Sequence, residues 1–234
     1  MNAVHVIGRR AREAAEDPRR RLATLGPVAQ LRAGRLARRL PQLIVGLVLY
    51  AVSMVMLVRA GLGVMPWDVL HQGAAGHLPI SFGQVVIVVS VLVLLLWIPL
   101  RQPPGLGTVA NAVLIGLVVD PVLRWMPQPE SWAGRGGLMV GGIVLNALAT
   151  ALYIGAQLGP GPRDGLMTGL TRRTGWSLRL VRTGIEVVVV AVGWALGGVL
   201  GLATVAYALT IGPLTQAVLP WCVVPLERRA PPSR

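Results

Sequence analysis

Charged residues are rare inside the long apolar stretches of this chain, and they are the first candidates for chemistry. Glu186 is the deepest carboxylate by sequence, because four valines at 187–190 follow it directly. Arg182 lies four residues earlier on the same helical face, where it can pair with Glu186. A charge at the centre of a bilayer costs about 2.5 to 3.5 kcal/mol on insertion scales, so such residues usually face a bundle interior or a water path. The pair is interpreted either as a proton- or ligand-coupling site or as a structural ion pair near the helix entrance.

Two further carboxylates each follow a break made by glycine and proline. Proline is favoured at the first position of a helix, and the helix dipole stabilises an acidic side chain in the first turn. The first break predicts a short helix from Pro66 to about Gly76, roughly 16 Å long and too short to cross a membrane. Such a helix lies on the membrane interface or enters it as a re-entrant segment. The residues are Gly63, Pro66 and Asp68 in the first segment and Gly159, Pro162 and Asp164 in the second.

Four residues then remain as candidates for substrate contact, each with an alternative role. Asp68 and Asp164 are the equivalent acids, and their alternative is helix capping, worth about 0.5 to 2 kcal/mol. Arg163 lies beside Asp164 and the N–H groups of a helix start, where it could hold an anion or carboxylate, or else fix the topology. Asn111 lies within an apolar stretch, where a hydrogen bond between helices averages about 0.6 kcal/mol and can serve packing alone.

Signatures of metal binding and catalysis do not occur in the sequence. His71 and His77 are six residues apart, a spacing that does not place two ligands on one helical face, so no metal site is predicted. The single Cys222 excludes an intramolecular disulfide framework. The chain has no Gly-x-Ser-x-Gly elbow, no phosphate-cradling Gly-Lys-Ser/Thr loop and no His-Glu-x-x-His helix. We therefore expect neither an enzyme nor a cofactor.

The composition places these residues in a membrane. The chain has 234 residues, of which 54% are hydrophobic and 13% charged, and such a balance is foreign to soluble domains. All twenty-two basic residues are arginines, and ten lie in the first forty positions, so much of the net charge of +13 belongs to a basic arm at residues 1–40. This arm is expected to be disordered and to attract anionic lipid headgroups. It lacks the folded basic face that nucleic-acid binding needs.

Six apolar stretches approach the length of about twenty residues that crosses the hydrocarbon. Arginines concentrate in the arm, in the segments after the second and fourth stretches and in the tail, which places both termini in the cytoplasm. We expect a multi-pass protein of the inner membrane, with an extracytoplasmic loop at 125–137 and a cytoplasmic tail at 221–234. Tyr50 and Tyr153 are interpreted as interfacial aromatics without a catalytic role. The predicted spans are 42–59, 82–100, 107–124, 138–157, 180–198 and 202–220.

The second half of the chain repeats the first. A shift of 96 positions aligns residues 44–118 with 140–214 and gives 24 identities in 75 pairs, whereas chance gives roughly one in ten. Each copy, at 41–124 and 138–220, holds three predicted spans, so the second copy should cross the membrane in the opposite sense. We predict an all-α integral membrane protein of two inverted three-helix repeats, each with a short broken or re-entrant helix.

Several motifs are shared with a known group of membrane proteins. They are Leu62-Gly-x-x-Pro66-Trp-Asp68-Val-Leu-His71, Gly107-Thr108-x-x-Asn111, Leu158-Gly-Pro-Gly-Pro-Arg163-Asp164 and Val181-Arg182-Thr183 with Glu186. With these motifs, residues 41–220 resemble the YczE-like bacterial integral membrane proteins, which are related to the YitT-type proteins. Leu78-Pro79 departs from the family pattern, which there resembles Thr174-Gly175 of the second half. The resemblance implies a membrane protein without a generally established activity and names no substrate.

Two functions stay open at this point. Inverted repeats recur in secondary transporters, so the first expectation is a small-solute transporter or permease of unknown substrate, with the two breaks facing each other. The alternative is a non-transporting scaffold or accessory subunit whose basic arm recruits a partner or lipid. A polar cavity between the repeats would favour transport, and a dry bundle with a large outward apolar patch would favour the scaffold.

Overall fold

The computed structural model describes Leu22 and residues 25–226. In this part of the chain the secondary structure is entirely helical. The first 21 residues of the predicted arm, with residues 23 and 24, lie outside the described residues. The helices are α1 (Pro27–Arg32), α2 (Leu36–Ala60), α3 (Pro66–Ala75), α4 (Phe82–Leu95), α5 (Trp97–Leu100), α6 (Leu106–Trp125), α7 (Trp132–Gly155), α8 (Pro162–Thr174), α9 (Leu178–Ala195) and α10 (Leu202–Cys222).

The described residues contain five helices that are long and apolar enough to cross a membrane. Six spans are predicted from the sequence. The predicted span at 180–198 is the one whose helix is not apolar enough to be counted among the five. Its helix, α9, has 18 residues and carries Arg179, Arg182 and Glu186. The five qualifying segments are Leu36–Ala60, Phe82–Leu100, Leu106–Trp125, Trp132–Gly155 and Leu202–Cys222.

Helix starts recur at the interval of the sequence repeat. The two short helices begin at Pro66 and Pro162, as the breaks in the sequence predict. Helices α4 and α9 begin at Phe82 and Leu178, and each follows a serine N-cap whose side chain accepts a backbone N–H. The short helices differ in length, since α3 has 10 residues and α8 has 13. The shorter one ends before Leu78-Pro79, where the first half departs from the family pattern.

Three predicted boundaries need correction. The sequence predicts a disordered arm at residues 1–40, but α1 and the start of α2 lie within this range, and Arg39 is fully buried. The Arg39 guanidinium caps the end of α7, because Nε donates to Ala156 O at 2.8 Å and Nη2 to Gln157 O at 2.6 Å. The predicted loop 125–137 is shorter, since α7 already begins at Trp132. The predicted tail at 221–234 begins within α10, which continues to Cys222.

Helices α2 and α7 form the centre of the molecule. They pack closely because Gly46 presents no side chain: a Cβ there would lie 2.8 Å from the backbone N of Tyr153. Helix α6 packs on α2, and α10 packs on α7. The apolar core between these helices includes Leu43, Leu47 and Met54, all at most 1% exposed. Helices α4 and α9 lie farther out and cover the two short helices.

Each break in one half is fastened to a helix start in the other half. Leu62 O accepts the N–H of Ala203 at 2.8 Å, and Leu158 O accepts the N–H of Gly107 at 2.7 Å. The two bonds correspond to each other, because the 96-residue shift maps Leu62 onto Leu158 and Gly107 onto Ala203. Gly63 and Gly159, next to the accepting carbonyls, have φ of 105° and 124°, a region that favours glycine. These two contacts hold the starts of α3 and α8 against the bundle.

Candidate functional site

A polar cavity of about 230 Å³ lies between the two halves. Both halves contribute to its wall, through helices α2, α4 and α6 of the first and α7, α8, α9 and α10 of the second. The charged residues in the wall are Arg163, Asp164 and Arg182. Apolar residues such as Val86, Ile115 and Ile211 also line the cavity, and its neutral polar side chains are Tyr50, Ser90, Asn111, Thr150, Tyr153, Tyr207, Thr215 and Gln216. The bundle therefore contains a cavity in which charged and polar side chains lie beside apolar ones.

Arg163 is held without a hydrogen bond from its guanidinium. The guanidinium carbon lies 4.9 Å from the centre of the Trp67 ring, a cation–π contact. Its Nη2 is 3.9 Å from Asp68 Oδ1, beyond hydrogen-bond distance. Among the residues that the structure describes, no acceptor lies within hydrogen-bond reach of this guanidinium. The side chain is 21% exposed and lines the cavity, so its donors are available to a ligand.

Asp68 lies behind Arg163 and is fully buried. Its Oδ1 pairs with His71 Nδ1 at 3.0 Å, one turn along α3. Its Oδ2 is buried and has no hydrogen-bond partner among the described residues, and the same is true of His71 Nε2. A buried carboxylate is stable only when it is paired and hydrogen-bonded. Arg163 is the charged partner that the fold supplies to Asp68, and it comes from the other half of the chain.

Asp164 is the equivalent of Asp68 but faces the cavity. Its Oδ2 accepts the hydroxyl hydrogen of Tyr153 at 2.6 Å. Within the described part of the chain, no hydrogen bond reaches the other oxygen, Oδ1. Asp164 therefore keeps one carboxylate oxygen for a ligand or for water.

Arg182 and Glu186 form the ion pair that their spacing predicts. Arg182 Nε lies 2.9 Å from Glu186 Oε1, with the two side chains 46% and 24% exposed. Arg182 lines the cavity, whereas Glu186 is held beside it through the pair. An exposed pair of this type contributes at most about 1 kcal/mol to stability, so its charges are not needed to hold α9 in the fold.

The two halves differ at one pair of helices. Helices α4 and α6 pack closely: a Cβ on Gly116 would lie 2.4 Å from Gly83 O. Asp120 on α6 accepts the Gly83 N–H at 2.8 Å and the hydroxyl hydrogen of Ser81, which ties α6 to the start of α4. The equivalent helices α9 and α10 are packed far less closely. Gly212, the counterpart of Gly116, has open space where its Cβ would be.

This difference sets the shape of the cavity. Arg179 takes the place of Gly83, and Gln216 takes the place of Asp120. Gly212 and Gln216 line the cavity, together with Arg182 across from them. The polar space therefore extends between α9 and α10, whereas the corresponding space between α4 and α6 is filled.

Comparison with known proteins places this bundle in a family. Residues 37–220 match the model of a family of unknown function, DUF6198. An uncharacterised protein of Haemophilus influenzae is 37% identical over 180 residues, which cover 75% of this chain and 83% of the relative. The uncharacterised membrane protein YczE of Bacillus subtilis is 31% identical over 177 residues, 75% of this chain and 82% of the relative. This chain therefore belongs to the family of unknown function DUF6198. No solved structure gives a significant match.

The YczE-like resemblance seen in the sequence is thus confirmed. The protein is a member of a membrane protein family of unknown function, with several apolar helices, and its membrane-embedded part contacts the lipid bilayer. Neither relative has a name that states an activity.

The structure brings the candidate residues of the sequence to one region. Asn111, Arg163, Asp164 and Arg182 line the cavity. Asp68 adjoins it through Arg163, and Glu186 adjoins it through Arg182. The break residues Gly63, Pro66, Gly159 and Pro162 position the short helices that carry Asp68, Arg163 and Asp164.

Sequence reasoning missed the tyrosines of the site. Tyr50 and Tyr153 were expected at the membrane interface, but both line the cavity, and Tyr153 is only 4% exposed. Tyr207 donates to Asn146 Oδ1 at 2.8 Å, and Asn146 donates in turn to Ser53 Oγ at 2.8 Å. The sequence contained one indication that Tyr207 belongs to the site, because Tyr207 is the counterpart of the candidate residue Asn111 under the 96-residue shift.

Proposed function

We propose that this protein is a small-solute transporter or permease of the inner membrane, and that the polar cavity is its binding site. The observation that supports the proposal is the set of three charged residues in the cavity wall. Charges at membrane depth are costly and usually mark a substrate or ion path. The cavity is smaller than the 300 to 1,000 Å³ typical of sites for drug-sized ligands, which favours a small solute. As expected from the sequence, we propose neither an enzymatic reaction nor a cofactor for this protein.

The proposed architecture is a pair of inverted repeats with six spans, α9 being the sixth. Two of its three charged residues are tolerable in a span because Arg182 faces the polar cavity and pairs with Glu186, and the third, Arg179, lies exposed in the first turn of the helix. The reciprocal bonds from Ala203 to Leu62 and from Gly107 to Leu158 are what a pseudo-two-fold axis would produce. With both termini in the cytoplasm, α3 would enter from outside and α8 from inside. The basic arm would then contact anionic lipid headgroups of the inner leaflet.

In this architecture the cavity opens toward the cytoplasm. The N-terminal half of α9 and the C-terminal half of α10, which border it, would lie on that side. The closed pair, α4 and α6, would seal the external side through Gly83, Gly116 and Asp120. Alternating access would open this pair and close α9 onto α10, with one repeat moving against the other.

Reconstitution in liposomes tests the transport proposal. Labelled small solutes and a pH-sensitive dye are screened with the wild-type protein and with Asp164→Asn and Glu186→Gln. We expect uptake of at least one solute and a large reduction by Asp164→Asn, because Asp164 lines the cavity. If Glu186 couples a proton, Glu186→Gln should abolish the dye response while solute exchange persists. Absence of flux for every solute, with a folded protein, contradicts transport.

A second candidate function is a non-transporting membrane scaffold. The observation in its favour is an apolar groove of about 800 Å³ between α4 and α9, bordered by Leu92, Trp176 and Val188. Deletion of residues 1–21, all outside the described residues, separates the two functions. A transporter should keep its uptake after this deletion, whereas a scaffold that recruits through its arm should lose partner binding.

A further inference from the structure

The arrangement of charges points to the class of solute. Resting on the proposed transport function, we propose that the cavity binds a small zwitterion, with its anionic group on Arg163 and its cationic group on Asp164. An α-amino acid of small side chain has this chemistry. Three features of the site support the proposal: unused donors on Arg163, an unused acceptor on Asp164 and the small volume of the cavity that both residues line.

Arg163 supplies the anion-binding half of the site. A guanidinium has five N–H donors in a planar fork that matches a carboxylate. Here none of the five is used within the described part of the chain, and the cation–π contact with Trp67 fixes the group without occupying its donors. Asp68 balances part of the charge at 3.9 Å but leaves the fork free. The site is thus prepared for an anionic group.

Asp164 supplies the cation-binding half. Tyr153 holds one of its oxygens at 2.6 Å and so orients the carboxylate. The other oxygen can accept from an ammonium group. Arg163 and Asp164 are neighbours in sequence and line the same cavity, yet among the described residues their charges do not form an ion pair with each other. Opposite charges left apart in one cavity are complementary to a molecule that carries both.

Solutes with a single charge fit this site less well. An anion on Arg163 would lie near the carboxylates of Asp68 and Asp164, and a cation on Asp164 would lie near Arg163 and Arg182. Like charges brought together in a confined space repel strongly. A zwitterion places each of its charges opposite a partner and adds no net charge to the cavity. The volume of about 230 Å³ leaves room for a small molecule only.

Thermal unfolding of the purified full-length protein in detergent tests the inference. The probes are four small molecules that differ in charge. Alanine carries both charges, propionate only the negative charge, ethylamine only the positive charge, and lactamide neither. Ligand binding raises the Tm by mass action. We expect alanine to raise the Tm in a concentration-dependent way and the other three to leave it unchanged. An equal rise with propionate or ethylamine, or no rise with alanine, overturns the inference.

Matched variants locate the effect. Arg163→Gln and Asp164→Asn should each weaken the apparent affinity for alanine at least about tenfold, since each loses a charge-assisted contact. Arg172→Gln, on the exposed end of the same helix, is the control and should bind alanine as the wild type does. Unchanged binding by both site variants would overturn the assignment. Size-exclusion profiles and helical circular dichroism establish that each variant is folded.

The outcomes separate this inference from the transport proposal. Alanine binding without flux in liposomes would contradict transport and leave the zwitterion site standing. Flux of a solute without both charges, with no binding of alanine, would contradict the zwitterion and leave transport standing.

Discussion

Arg163 stacks on Trp67, its own counterpart in the other half of the chain. The two residues are 96 positions apart, and the guanidinium carbon lies 4.9 Å from the centre of the indole ring. In the proposed architecture, in which an axis relates the two halves, only residues near this axis can touch their counterparts. The contact therefore marks the place where α3 and α8 meet, and the cavity adjoins this place.

The Trp67 ring should stabilise the fold through its buried volume and through the aromatic face that it offers to Arg163. Trp67 is 6% exposed, so Trp67→Ala should destabilise the protein by about 3 to 5 kcal/mol through the cavity it leaves. Trp67→Phe keeps an aromatic face and should cost much less. The Tm of the two variants in detergent checks this order. Equal losses for both would contradict this expectation, because phenylalanine retains most of the ring volume and an aromatic face, whereas alanine retains neither.

Arg39 should be a structural residue although it lies in the basic arm. It is fully buried and donates to the carbonyls of Ala156 and Gln157, which follow the end of α7. Hydrogen bonds of a charged donor contribute about 1.5 to 3 kcal/mol each, so Arg39→Gln should lower the Tm sharply. Arg38→Gln, at an exposed position, is the matched control and should change stability by less than about 0.5 kcal/mol. A similar effect of both substitutions would contradict the capping role.

The two equivalent glycines Gly116 and Gly212 should respond differently to alanine. In Gly116→Ala the new Cβ would lie 2.4 Å from Gly83 O and must push α4 from α6, at a cost of about 1 to 3 kcal/mol. Gly212→Ala meets no atom within 4 Å and should keep the wild-type Tm. Thermal unfolding in detergent measures both. In the proposed transport cycle, Gly212→Ala should slow flux, because α9 and α10 must close on each other in the other state.

Local patterns predicted the helices well because they depend on neighbouring residues. Pro66 and Pro162 mark helix starts by their fixed φ, and the spacing of Arg182 and Glu186 places them within pairing distance. The 96-residue repeat could be read directly from the sequence, and the helix starts follow it. The family was recognisable for the same reason, since two of its motifs lie at these breaks and the others are short local patterns within helices.

Features that depend on contacts between distant segments were not predictable. Arg39 resembles the exposed arginines around it, and only the end of α7, more than a hundred residues later, makes it a buried cap. Tyr153 looks like an interfacial aromatic until α8 brings Asp164 to its hydroxyl. The 96-residue repeat shows which residues of the two halves correspond. It does not indicate that α4 and α6 pack closely while the corresponding helices α9 and α10 stand apart. Six spans were expected from hydropathy, and the charges of α9 leave five by that criterion.

Labelling of introduced cysteines in intact cells tests the central claim, that the two halves are inverted in the membrane. Leu78→Cys and Thr174→Cys are introduced one at a time in a Cys222→Ser background. The two positions are exposed and equivalent under the 96-residue shift: Leu78 follows α3, and Thr174 is the last residue of α8. A membrane-impermeant maleimide should label the cysteine at 78 in intact cells and the cysteine at 174 only after permeabilisation. Labelling of both positions from the same side would contradict the inverted arrangement and the alternating-access proposal built on it.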